Sequence, residues 1–162
     1  MATTPDYLSI MLLGVLAGMR SMTPPTLVSL YLNRNQHLRT GTLTNFLGSG
    51  NSLAAFSLLA TGEIVADKFP QAPNRTFGPA VVGRMGTSAL SGAAIAEAHS
   101  ENRSVAAALS ATVTAVVTFA TFRARIASNN YLPNPVTGVI EDTLLLGLST
   151  ALLRRWHRQH AR

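Results

Sequence analysis

Long apolar runs alternate with short polar connections along the whole of this chain. A helix that crosses the hydrocarbon of a bilayer needs about 20 mostly apolar residues. Five stretches meet that length: Leu8 to Leu32, Phe46 to Ala66, about Phe77 to Ala96, Ser104 to Phe122, and about Val136 to Leu153. Between them lie "NRNQHLRTGTLTN", "DKFPQAPNRT", "EAHSENR" and "RARIASNNYLPNP", whose Pro, Asn and charges mark connections. No stretch alternates with the period of a strand, so the chain reads as all-helical. The fourth stretch, "SVAAALSATVTAVVTFATF", carries no charge and lacks the polar face a soluble bundle helix presents to water. The pattern predicts an all-α membrane protein of about five transmembrane helices, forming a single domain over residues 1–162.

The first stretch contains an interruption, "GMRSMTPPT", residues 18–26. Proline removes a hydrogen bond inside a helix but suits the first turn of a new one. The stretch is therefore predicted to break at Thr23–Pro25. One half-helix ends near Arg20 and Ser21, and another starts with Thr23 as its N-cap. At 1.5 Å per residue, Arg20 lies roughly 18 Å into the span. A break in lipid survives only where protein or a water-filled cavity satisfies the freed backbone groups. A half-helix start beside an arginine favours an anion. The plainer reading is a proline kink with Arg20 paired to a carboxylate.

Charge refines the topology. Only 12% of the residues are charged, against about 25% in soluble domains. The formal net charge is +6, and "RRWHRQHAR" closes the chain as a basic tail from about residue 154. After so apolar a chain, a cytoplasmic stop fits this tail better than nucleic-acid binding does. With the N-terminus outside, the inner segments hold Arg34, Arg39, Arg103, Arg154, Arg155, Arg158 and Arg162, and the outer ones hold Lys68, Arg75, Arg123 and Arg125. The positive-inside rule then favours N-out and C-in. No basic n-region of a cleavable signal precedes the first span.

In that topology Glu63, Arg84, Glu141 and Asp142 share one outer layer. Glu63 and Asp67 fall on one helix face. "FPQAPNRTFGP" caps the layer, with Arg75 facing it. Glu63 or Asp67 is expected within salt-bridge reach of Arg75 or Arg84. Such carboxylates take a proton or a cation, or else form a structural network with the arginines. "GMRSMTPPT" has a counterpart in "GRMGTSALS", and "TGEIVADK" in "TGVIEDTL". A weak internal repeat and a bias towards small residues explain these matches equally well.

"GMRSMTPP", "GEIVADKFPQAPNRT" and "GPAVVGRMGTSALSGAA" together resemble the small bacterial membrane proteins grouped as domain of unknown function 4126. The resemblance runs from about Leu12 to Leu153. It implies an integral membrane protein, with no activity attached; the apolar stretches and charge placement predict a multi-pass protein of the bacterial inner membrane.

Other motifs add little. The absence of cysteine excludes disulfides and thiolate chemistry. The alternation of Glu97, His99 and Glu101 scatters around a helix and makes a poor metal site. No Gly-x-Ser-x-Gly elbow or Walker lysine is present, so no cofactor or metal is predicted, and an enzymatic role lacks a nucleophile. Gly14 and Gly18 form a G-x-x-x-G that packs helices within the chain or between copies of a homo-oligomer. Two functions remain. The first is a transporter or channel for a small solute or ion, with Arg20, Ser21, Thr23, Glu63, Asp67, Arg75, Arg84, Glu141 and Asp142 as its site. The second is a non-transporting membrane module that binds a lipid or quinone headgroup, or serves a larger membrane complex.

Overall fold

The computed structural model describes residues 6–66, 78–128 and 134–160, and among them there is no strand. Seven α-helices follow in order: α1 Tyr7–Met19, α2 Thr23–Arg34, α3 Thr42–Leu47, α4 Gly50–Ala66, α5 Gly78–Ala98, α6 Arg103–Ser128 and α7 Asn134–His160. A single 3-10 turn, Gln36–Leu38, lies between α2 and α3. Helices α4 to α7 coincide with the second to fifth apolar stretches.

The first stretch does something else. Trp156 of α7 donates its indole N–H to Ser9 Oγ at 3.1 Å, and its ring lies 4.5 Å from that of Tyr31. Ser9 begins α1 and Tyr31 lies near the end of α2, so the two helices run antiparallel. Leu8 to Leu32 is a hairpin that enters the bundle and returns, not a broken span. Each arm is only about 18–20 Å long at helical rise. Apolar length could not separate the two cases, because two reversed half-helices and one interrupted helix have the same composition.

The hairpin changes the topology. Asp6 pairs with Arg155 at 2.9 Å, so residue 6 and the last turns of α7 lie at the same end of the bundle. This corrects the expectation that the two ends of the chain lie on opposite sides. Arg34, Arg39, Arg103, Arg154, Arg155 and Arg158 all sit at this terminal end. Asp142, Glu63 and Arg84 sit towards the other, beside the hairpin tip.

The break itself falls slightly earlier than predicted. Arg20 is extended, with φ −144° and ψ 123°, and Met22 rather than Thr23 is the N-cap of α2. Thr23 to Pro25 form the first helical turn. Proline is at home there, since those N–H groups have no intrahelical acceptor. The basic C-terminal residues Arg154 to His160 continue α7, and Trp156 among them is fully buried.

Small residues bring α1, α5 and α6 close together. A Cβ added to Gly14 would lie 2.7 Å from the Ser110 carbonyl oxygen, and one on Gly18 would lie 2.6 Å from Val117. Thr114 donates across the same contact to the Gly14 carbonyl at 3.1 Å. Ser88 of α5 and Ser110 of α6 share a short hydrogen bond. The Gly14–Gly18 pair is thus used inside the chain against α6, the first of the two packings its spacing allowed. Gly14→Ala is expected to destabilise by about 1–3 kcal/mol, because overpacking against backbone outweighs the gain in helix propensity. Gly62→Ala, where nothing lies within 4 Å, is its control and should be neutral or slightly stabilising. Thermal unfolding of the two variants side by side checks this.

Helices α4 and α7 are peripheral by comparison. Within α4 only Ser52 is buried, while Leu58 and, on α7, Leu146 are 74% and 67% exposed. Among the described residues one helical segment, Arg103–Ala124 of α6, is long and apolar enough by length and composition to cross a membrane.

Candidate functional site at the hairpin tip

A helix pair that ends inside a bundle leaves carbonyls at the end of one helix and N–H groups at the start of the next. Two charged residues from other helices meet these needs. Glu63 of α4 accepts from Ser21 N at 2.9 Å, Ser21 Oγ at 2.9 Å and Met22 N at 3.0 Å. It thereby caps α2 from outside, where a negative charge is favoured by the helix dipole. Met22 has no capping side chain of its own. Arg84 of α5 donates to the carbonyls of Gly18 at 2.9 Å and Met19 at 3.2 Å. That places a cation on the last turn of α1, where the dipole favours it. Arg84 Nη2 and Glu63 Oε1 are 3.8 Å apart, their side chains 8% and 15% exposed.

A third element closes the cluster. Arg20 Nη2 meets Asp142 Oδ1 of α7 at 2.6 Å. The Arg20 side chain is 10% exposed and that of Asp142 is 42% exposed. Thr26 Oγ1 also donates to the Phe56 carbonyl at 3.0 Å, tying α2 to α4 just inside the tip. The hairpin is therefore held by α4, α5 and α7 together.

The predicted layer is present in its described part. Glu63 lies within salt-bridge reach of Arg84, as expected. Arg20, which the sequence placed nearer the midplane, joins the same layer because its helix stops there. Glu141 precedes Asp142 in α7 and is half-buried. Thr23 opens α2 without acting as its cap. Asp67 and Arg75 lie outside the described residues, as does most of "DKFPQAPNR". The pairing crosses between the two halves of the chain: Arg20 of the first pairs with Asp142 of the second, and Arg84 of the second with Glu63 of the first. In this conformation the anion at the start of α2 is Glu63 itself. An open groove of about 730 Å³ reaches the tip between α2 and α4, lined by Ser21, Met22 and Glu63 beside Leu58, Leu59 and Val65.

The terminal end holds polar contacts that sequence reasoning missed. Glu97 accepts from Leu43 N at 3.1 Å and from Thr44 Oγ1 at 3.2 Å, and its second oxygen meets Arg103 at 2.9 Å. It therefore fixes the start of α3. Its donors on α3 lie more than fifty residues away in sequence, which no local pattern signals. Asp6 accepts from Ser9 N at 3.3 Å, from Arg155 at 2.9 Å and from Gln159 at 3.1 Å. Burial pushes its carboxyl up, but the hydrogen bonds from Arg155, Ser9 and Gln159 outweigh this and hold it below the ordinary 3.8. An aspartate just before an apolar helix is a recognisable N-cap, and that signal was there to be read.

No curated protein and no solved structure matches the chain. A family model described as a domain of unknown function, DUF4126, matches residues 8–154, a range that includes the hairpin, both site arginines, Glu63 and Asp142. The chain therefore belongs to the DUF4126 family.

Proposed function

We propose that this protein is a multi-pass protein of the bacterial inner membrane that moves a small solute or ion through the Arg/carboxylate site at its hairpin tip. In this reading α4 to α7 cross the bilayer, and α1 and α2 form a re-entrant hairpin. Exposed apolar side chains on α4, α6 and α7, such as Leu58, Val116 and Leu146, support lipid contact. The arginines at the terminal end support a cytoplasmic placement of that end, and with it both ends of the described chain.

One observation carries the transport reading: two opposed half-helix ends meet inside the bundle on a carboxylate and a guanidinium from other helices. Irregular backbone at membrane depth is tolerated where it lines a pathway, and half-helix ends are where transporters bind ions. Protonation of Glu63 would weaken its hold on Ser21, Met22 and Arg84 and free the tip. Asp142, partly exposed, would exchange Arg20 with an anionic solute. Reconstitution into liposomes with an entrapped pH dye tests this, using a panel of small anions under an imposed pH gradient. Flux above empty vesicles is expected for at least one anion. Arg20→Lys keeps the charge but loses the planar fork. It should leave the unfolding temperature nearly unchanged and cut that flux about tenfold. Wild-type vesicles no leakier than empty ones, across the panel, would sink the transport reading.

A second reading has its own support. Among the described residues, Arg20, Glu63, Arg84 and Asp142 at the tip pair with one another, as in a purely structural network. The protein would then be a non-transporting module for a lipid or quinone headgroup, or an accessory part of a larger membrane complex. A second copy or a partner would cover the exposed faces of α4 and α7. Native mass spectrometry of the detergent-purified protein, reporting copy number and retained ligand together, separates this reading from the first.

A further inference from the structure

A second candidate site lies at the terminal end, far from the hairpin tip. Between α2 and α7 is a pocket of about 340 Å³, within the size range of small-ligand sites. Arg34 from α2 and Arg154 and Arg158 from α7 line it, with Leu30 and Leu153 on its apolar side and the packed, tilted rings of Tyr31 and Trp156 buried behind them. Among the described residues no carboxylate lines it.

The charge is left over, because the carboxylates at this end are engaged elsewhere. Asp6 holds Arg155, and Glu97 holds Arg103. Glu101 accepts the Asp6 N–H at 3.0 Å. No described carboxylate pairs with Arg34, Arg154 or Arg158. Three guanidinium groups facing one pocket call for a multivalent oxygen anion, and the planar fork matches a phosphate. The apolar wall directs the rest of the ligand. A free phosphate has no use for the half-buried Leu30 and Leu153 on the apolar side of the pocket, whereas the first acyl carbons of a lipid do.

We propose that this pocket binds the phosphate of an anionic phospholipid headgroup, with Arg34, Arg154 and Arg158 as its ligands. The proposal rests on the membrane reading above but not on transport. It makes the last turns of α7 a lipid-binding surface as well as a basic end.

The test uses the full chain in detergent, titrated separately with phosphatidylglycerol, phosphatidylcholine and inorganic phosphate. Native mass spectrometry counts bound lipid, and thermal unfolding reads the stabilisation. Phosphatidylglycerol should bind and stabilise more strongly than phosphatidylcholine. Arg34→Gln, Arg154→Gln and Arg158→Gln should each weaken that binding roughly fivefold. Arg123→Gln, far from the pocket on α6, should leave it unchanged. These arginines are exposed, so the variants should fold, and their melting temperature without lipid verifies it. Equal binding of both lipids, or equal loss in Arg123→Gln, would overturn the pocket. Stabilisation by inorganic phosphate as great as by phosphatidylglycerol would overturn the lipid assignment. Carbonate extraction of membranes reads the membrane reading separately: a protein that stays with the bilayer but shows no lipid preference refutes the pocket alone.

Discussion

Glu63→Ala is expected to lower stability by about 3–5 kcal/mol, the cost of removing one partner from a buried charged network. The side chain accepts three hydrogen bonds from the hairpin tip and faces Arg84 at 3.8 Å. Without it, the N–H groups of Ser21 and Met22 lose their acceptor at the partly buried hairpin tip, and the buried Arg84 loses its counter-charge. At about 2–4 °C per kcal/mol for a chain of this size, the unfolding temperature should fall by roughly 6–20 °C. Glu63→Gln keeps one carbonyl oxygen for Ser21 but turns an amide towards Met22, so its loss should be intermediate. Glu63→Ala combined with Arg84→Leu should be less than additive, since the second change removes the charge that the first left unpaired. An unfolding temperature for Glu63→Ala within about 2 °C of the parent would mean that the tip is not held by this carboxylate. The same series bears on function: a Glu63→Gln variant that folds but no longer carries flux would place the proton at this residue.

Trp156→Ala should cost a comparable amount, about 3–5 kcal/mol, as large aromatic deletions in a core do. The indole is fully buried, stacks against Tyr31 and donates to Ser9 Oγ. It therefore joins the last turns of α7 to the beginning of α1 and the end of α2, and it closes the hairpin at its open end. Trp156→Phe keeps most of the apolar volume and loses only the N–H, so it should recover more than half of the loss. Unfolding followed by circular dichroism in detergent would measure both. A basic tail carrying no fold would instead tolerate Trp156→Ala, and so would a truncation before Arg154.

The two predictions act at opposite ends of the same hairpin. Glu63 and Arg84 satisfy its tip, where backbone groups would otherwise be orphaned. Trp156 and Asp6 secure its open end, where side chains pack and cap. Between them, Gly14 and Gly18 let α1 lie almost backbone to backbone on α6. A helix pair of this length could not stand alone, because helices of 12 or 13 residues are marginal without tertiary contacts. It is ordered by the longer helices around it, and those contacts include Glu63, Arg84 and Asp142 of the candidate site.

By itself the sequence determined the helical class, the positions of four long apolar helices, the interruption near Arg20, and the proximity of Glu63 to Arg84. Each of these follows from local quantities: apolar run length, proline chemistry, and the placement of scarce charges in apolar segments. Tertiary structure alone decided that Leu8 to Leu32 folds back rather than crossing. The direction of a helix after a three-residue turn depends on what it packs against, and Trp156, more than a hundred residues away, supplies that contact. The same reversal brought both ends of the described chain together, drew Arg20 into the layer of Glu63 and Arg84, and matched it with Asp142 rather than with the helix start beside it. The basic pocket between α2 and α7 was hidden for a related reason. Arg34 and Arg158 read as unrelated loop and tail charges until two distant helices place them on one wall, since charge clustering in space has no fixed signature in sequence spacing.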